Sequence, residues 1–122
     1  MTNFLDTYDV LQIVEVLGFY VKDLGLLESA IARPGASAYD TEAYPSLELK
    51  AAAFAQSLVK NQSLVDGNKR TAWVALNGFL YRNDYTLDMT ADEGMDFVLG
   101  LATDRFNIEQ AATRIRKKMV RL

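Results

Sequence analysis

Five consecutive residues carry the densest chemistry in this chain: Asp66, Gly67, Asn68, Lys69 and Arg70. Asp66-Gly67 is a turn dipeptide, and asparagine is a favoured helix N-cap, so Asn68 is expected to cap the segment that follows. In that segment Trp73, Leu76 and Leu80 recur at three- and four-residue spacing, with Ala72, Ala75 and Phe79 widening the stripe. The five residues therefore open a long apolar helix, 68–82, expected at the centre of the fold. Its first turn carries the wrong charge. A helix N-terminus presents free N–H groups and a partial positive charge, which acids stabilise and Lys69 and Arg70 do not. A bound anion resolves the conflict, because free amides, a close-approaching glycine and two cations all suit phosphate. Asp66 then offers a hard oxygen of the kind Mg²⁺ takes from protein while it also holds nucleotide phosphates. The plainer reading is a turn and a cap that merely start a helix. It explains Asp66, Gly67 and Asn68 but not the paired cations.

Other elements must hold this loop in place. Thr7 can cap a helix to about Tyr20, with Val10, Leu11, Val14, Leu17 and Val21 on one face and Gly18 weakening it by roughly 1 kcal/mol. Residues 22–25 read as a turn, and Leu26 to Ala32 as a short helix stopped by Pro34. Residues 34–45 lack periodicity and read as a loop within the domain. A loop of about twelve residues in a compact domain is often functional. Its Tyr39 and Tyr44 could contact a partner or fold back on the surface. Ser46 caps a helix whose stripe is Leu47, Ala51, Phe54 and Leu58, and which ends near Asn61-Gln62, beside the motif. Residues 85–88 read as extended. Thr90 with Glu93 and Asn107 with Gln110 are capping-box patterns for two further helices. Five or six helices and at most one short hairpin define an all-α domain spanning 1–122.

Composition narrows the function classes. A chain of 122 residues fits one domain and can bury about two-thirds of its unfolded surface. With no Cys there is neither a disulfide framework nor a thiolate metal site, and a reducing cytoplasm is the expected setting. The first residues lack a basic stretch followed by an apolar run, so no signal peptide is expected. No apolar run approaches the roughly 18 residues that cross a membrane. The net charge of −3 argues against nucleic acid as a ligand, and no DNA binding is expected. Residues 84–109 hold seven acids and one base, whereas 114–122 hold five bases and no acid. The basic end is read first as cations complementing the dipole of a last helix, ahead of a partner surface.

Val65-Asp66-Gly67-Asn68-Lys69-Arg70-Thr71-Ala72 resembles the signature of the Fic/Doc superfamily in its Doc (death-on-curing) form; the Fic form has Gly in place of Lys69. Leu26-Leu27-Glu28-Ser29-Ala30-Ile31-Ala32-Arg33-Pro34 is similar to a segment common in Doc-like chains, so the likeness spans roughly 24–85. The resemblance implies a compact helical bundle around helix 68–82. It also implies a toxin of a toxin–antitoxin pair that uses ATP to phosphorylate a threonine of elongation factor Tu, where Fic relatives transfer AMP. Asp66 would hold Mg²⁺, and Gly67 and Asn68 would line an anion hole with backbone N–H groups. Arg70 would clamp phosphate, and Lys69 would fill the space left open in the Fic form. The 34–45 loop would help hold the protein substrate.

The family places a catalytic His four residues before the Asp. This chain has Gln62 there and no His anywhere; Ser63 and Leu64 replace the usual Pro and Phe, and Leu64 can still plug the core. A glutamine amide can hydrogen-bond a hydroxyl but is no base near pH 7. ATP-Mg binding is therefore expected to survive while transfer is severely weakened. A natural inactive relative and a deliberately disarmed toxin both account for Gln62. The inhibitory segment of many Fic proteins is missing, since Met89 stands where Ser or Thr would precede Glu93-Gly94. Inhibition would then come from an antitoxin segment that folds on binding, with apolar residues of the helices from Thr7 and Ser46 as candidate contacts, although core packing explains the same residues and is read first. The alternative is a non-catalytic Fic-fold domain that binds nucleotide or protein.

Overall fold

A computed structural model describes residues 1–122. Six helices run in the order α1 (Thr7–Leu17), α2 (Leu24–Ala32), α3 (Leu47–Lys60), α4 (Asn68–Arg82), α5 (Ala91–Ala102) and α6 (Ile108–Lys118). Two short antiparallel pairs join them: β1 (Ser37–Ala38) with β2 (Thr41–Glu42), and β3 (Tyr85–Leu87) with β4 (Met119–Arg121). The chain is all-α as expected, with one more strand pair than the sequence pattern allowed.

The helix starts are local chemistry. Thr90 and Asn107 cap α5 and α6, and each closes a capping box with Glu93 or Gln110. Ser46 caps α3 through the Leu49 N–H. At α1 the cap is Asp6 rather than Thr7, because Asp6 exchanges two hydrogen bonds with Asp9. The helix stops at Leu17, not Tyr20. Gly18 adopts a left-handed conformation (φ +82°), and the Phe19 N–H reaches back to the Val14 carbonyl at 3.0 Å. Gly18 thus ends the helix as a Schellman motif. The expected turn at 22–25 is shorter, since Asp23 caps α2 and Leu24 is already helical.

Both α3 and α4 occupy the centre, and α3 is the more enclosed. It packs on α2, α4, α5 and α6, and only Lys60 along its length is exposed. Its Ala51, Ala52, Ala53 and Ala55 let neighbouring helices approach closely. On α4 the expected stripe is buried at Ala72, Ala75, Leu76, Phe79 and Leu80 but only half-buried at Trp73, and Phe79 meets Phe54 edge-on at 5.7 Å. Leu64 is buried, as expected of a core plug.

Of the basic C-terminal end, Arg116, Lys117 and Lys118 form the last turn of α6 and complement its dipole as expected, whereas the residues beyond them leave the helix. The last helix stops at Lys118, and Met119–Arg121 pair with Leu87–Tyr85. That pairing is non-local, so helical spacing and dipole arguments could not anticipate it. Residues 34–45 are also more ordered than a plain loop. Arg33–Gly35 form one 3₁₀ turn, and β1 and β2 make a hairpin. Its tip, Tyr39-Asp40, has both φ angles positive (52° and 62°), as a two-residue type I′ turn requires.

One salt bridge fastens α1 to the end of α4: Arg82 Nη1 lies 2.7 Å from Asp9 Oδ2. The Arg82 guanidinium holds the Asp9 carboxyl down at about 2 from an ordinary 3.8. A carboxyl depressed in the folded state stabilises it above the unfolded pKa, and that contribution fades as pH falls through the folded one. Asp9→Asn is therefore expected to lower Tm at pH 7, with the difference from the parent chain shrinking between about pH 4 and pH 2. Thermal melts of the two proteins across pH 2–7 check this, and a gap that persists at pH 2 would contradict it.

Candidate active site

The loop between α3 and α4 is held from within and from outside. Within it, the Asn68 amide accepts from the Leu64 N–H (3.1 Å) and donates to the Leu64 carbonyl (3.2 Å). Asn68 is thus the first helical residue and a loop-closing strut. The N-cap position belongs instead to Gly67, in a left-handed conformation (φ +80°) with no side-chain cap. Asp66 turns back on its own loop, Oδ1 accepting from the Gly67 N–H at 2.8 Å. From outside, the segment between α1 and α2 is tied to the loop by backbone hydrogen bonds. Ser63 O accepts from the N–H groups of Lys22 (2.8 Å) and Asp23 (3.0 Å), and Tyr20 O from Val65 (2.9 Å).

The result is a cleft of about 390 Å³ lined by Gln62, Asp66, Gly67, Asn68, Lys69 and Arg70, with Phe19, Val59, Met95 and Ala102 among its walls. All six candidate residues named from sequence share this one cleft. Gln62, Asp66, Lys69 and Arg70 are exposed there. The N–H groups of Asn68, Lys69 and Arg70 donate to no protein atom; the first backbone bond of α4 runs from Thr71 to Gly67 O at 2.9 Å. Neither Lys69 nor Arg70 belongs to an ion pair. Three free amides and two unpaired cations at a helix N-terminus are the chemistry of an anion site. Asp66 is the single carboxylate on the cleft, and no cluster of three potential ligands exists anywhere in the molecule. A divalent cation here would need further oxygens, which a polyphosphate supplies.

Gln62 has φ +49°, the left-handed region, which the residue adopts because α3 has just ended and the chain must reverse into Ser63. Histidine is among the residues that tolerate that region, so the backbone would also accommodate His.

A larger cleft of about 640 Å³ lies between α5 and α6, bordered by Glu93, Asp96, Arg105, Arg114 and Lys117. It shares no residue with the motif, and Arg105 there is already paired with Asp96 at 3.0 Å. Volume favours it and chemistry does not, so the smaller cleft is the candidate site.

The two tyrosines of the 34–45 segment separate. Tyr44 folds back: its hydroxyl accepts from Arg33 Nε at 2.9 Å. Tyr39 stands fully exposed at the hairpin tip. Of the two helices named as carriers of an exposed apolar surface, α3 has none, because it is enclosed on all sides. On α1, Tyr8 and Val16 are exposed, and an apolar groove between α1 and α4 is lined by Ile13, Val16, Leu17, Val74 and Tyr81. Sequence reading missed Phe19 as a cleft wall. Nothing in its spacing marks it, since it reaches the motif only through the fold.

The sequence that folds this way is matched over residues 4–80 by the model of the Fic/DOC family. The chain belongs to that family. Among curated relatives, Toxin Doc of Mycolicibacterium smegmatis is 42% identical over 120 residues, covering 94% of this chain and 92% of that protein.

Proposed function

We propose that this chain is a Doc-like toxin of a toxin–antitoxin pair. Its cleft holds ATP-Mg for transfer of the terminal phosphate to a hydroxyl of a translation factor, elongation factor Tu by family resemblance, and Gln62 leaves that transfer severely weakened. The observation that carries the reading is the set of unbonded amides at Asn68, Lys69 and Arg70 and two unpaired cations, open on the same cleft as Asp66 and Gln62. The homology to Toxin Doc supports the toxin class.

The residues present fit the nucleotide. Arg70, Lys69 and the amides of the first α4 turn would bind and orient the phosphates in an electropositive pocket. Asp66 would supply the protein oxygen for Mg²⁺. The bound ATP-Mg supplies the phosphoryl group and neutralises part of its charge. At the position of the attacking hydroxyl, Gln62 can donate or accept a hydrogen bond but cannot take the proton. The α1–α4 groove suits an amphipathic antitoxin segment. A toxin that modifies a translation factor would act in the cytoplasm.

Two measurements test this. Millimolar ATP-Mg is expected to raise Tm by several degrees, because a ligand that binds only the folded state stabilises it. Arg70→Ala is expected to remove most of that rise; an unchanged rise would mean that the nucleotide sits elsewhere. In a lysate, ATP labelled at the γ-phosphate is expected to mark a translation-factor band when Gln62 is replaced by His. An α-labelled band would mean AMP transfer and would overturn the role given to Lys69. The absence of His favours one other reading, a non-catalytic nucleotide- or protein-binding domain. ATP-Mg binding with no band from either label would select it.

A further inference from the structure

Two glycines in this chain adopt left-handed backbone, Gly18 and Gly67. They lie 49 residues apart in sequence, and one aromatic ring connects them. Gly18 ends α1 and turns the chain so that Phe19 follows at once, its N–H fixed on Val14 O. The Phe19 ring then lies against Gly67, so closely that a Cβ added to Gly67 would meet ring carbons at 2.2–2.4 Å. No such crowding surrounds Gly18, where an added Cβ meets nothing within 4 Å. The ring is half-buried and forms a wall of the motif cleft. The backbone on either side is held independently: Tyr20 O accepts from Val65, Ser63 O accepts from Lys22 and Asp23, and Val21 bridges Leu64. These ties fix the Phe19 backbone beside the motif loop, so only a change of side-chain rotamer can carry the ring off Gly67.

We propose that Phe19 is a positioning residue for the anion site: its ring braces Gly67 and so fixes where the amides of Asn68, Lys69 and Arg70 point. Gly67 has no side-chain cap and no Cβ of its own to restrain it. Glycine loses the most conformational freedom on folding, and here an external group supplies the restraint. The absence of a Cβ at Gly67 is required twice over, by its positive φ and by the ring beside it. The brace concerns backbone geometry and stands apart from the identity of the anion; only its effect on ATP-Mg affinity rests on the function proposed above.

The test replaces Phe19 by Ala and by Leu in the full chain and follows amide hydrogen exchange without ligand. In Phe19→Ala, exchange at Gly67 and Thr71, whose N–H groups donate to Asp66 Oδ1 and Gly67 O, is expected to rise about tenfold or more over the parent chain, while the amides of α6 stay unchanged. Phe19→Leu restores most of the bulk against Gly67 and is expected to recover most of the protection. ATP-Mg affinity measured by calorimetry is expected to fall about tenfold in Phe19→Ala and to recover partly in Phe19→Leu. Uniform loss of protection, α6 included, would assign the ring a general packing role and overturn the proposal. So would unchanged exchange at Gly67 and Thr71. If the parent chain binds no ATP-Mg, the function proposed above fails, and the exchange result still decides the brace.

Discussion

Gln62→His is expected to raise phosphate transfer by about 10²–10⁴-fold, the usual contribution of one positioned general base. The gain should be this large because the rest of the cleft is already assembled: Asp66, Lys69, Arg70 and the free amides are in place around position 62. The backbone presents no obstacle, since the left-handed φ of Gln62 is one that His tolerates. A second signature follows from the chemistry. The His variant should gain a rise in rate with pH centred near the imidazole value of about 6.5, and the Gln parent should show none there. Single-turnover label transfer from pH 5 to 8 measures both. A His variant no faster than its parent would remove the phosphotransferase reading. A faster one with a flat pH profile would remove the general-base role.

The largest expected loss of stability lies at Lys50, a lysine that is 2% exposed in the first turn of α3. Its amine donates to the Tyr44 carbonyl and lies 3.0 Å from Glu42 Oε1, so one buried cation anchors β2 and the return of the hairpin to α3. Lys50→Ala deletes three buried methylenes at about 0.8 kcal/mol each and strands the Tyr44 carbonyl. Relief from burying a charge offsets part of this. The net is expected to be about 2–3 kcal/mol, or a Tm loss near 10 °C for a domain of this size. Lys50→Met keeps the stem; it strands the same carbonyl, but relief from burying the charge offsets most of that, so it should cost under about 1 kcal/mol. Both variants should speed proteolysis at Tyr39-Asp40, because both release Glu42 and Tyr44. Equal Tm losses in Ala and Met would show that the charge, not the stem, carries the effect.

Much of the fold was legible because it is local. Capping boxes at Thr90 and Asn107 and the cap at Ser46 are set by residues three apart, and the α4 stripe by spacing within one helix. The motif was legible for the same reason. Its five residues are contiguous, and the conflict between Lys69, Arg70 and the helix dipole needs no knowledge of the rest of the chain.

Where two residue types compete for one local job, the sequence reading erred by a position. Asp6 displaced Thr7 as the α1 cap because Asp9 could reciprocate. Gly67 displaced Asn68 because the asparagine amide was engaged by both polar groups of the Leu64 backbone. Gly18, read as a weak point within a helix, is where the helix stops.

The sequence by itself thus determined an all-α class and the motif that opens α4, and it carried the expectations of an anion at that helix start and of a base missing at Gln62. Only the tertiary structure decided the pairing of β3 with β4, the enclosure of α3, the burial of Lys50 under the hairpin and the meeting of Phe19 with Gly67. The reason is sequence distance. Each of those contacts joins residues whose types carry no mutual pattern along the chain. They come together only when the helices bury a common core and bring one segment against another.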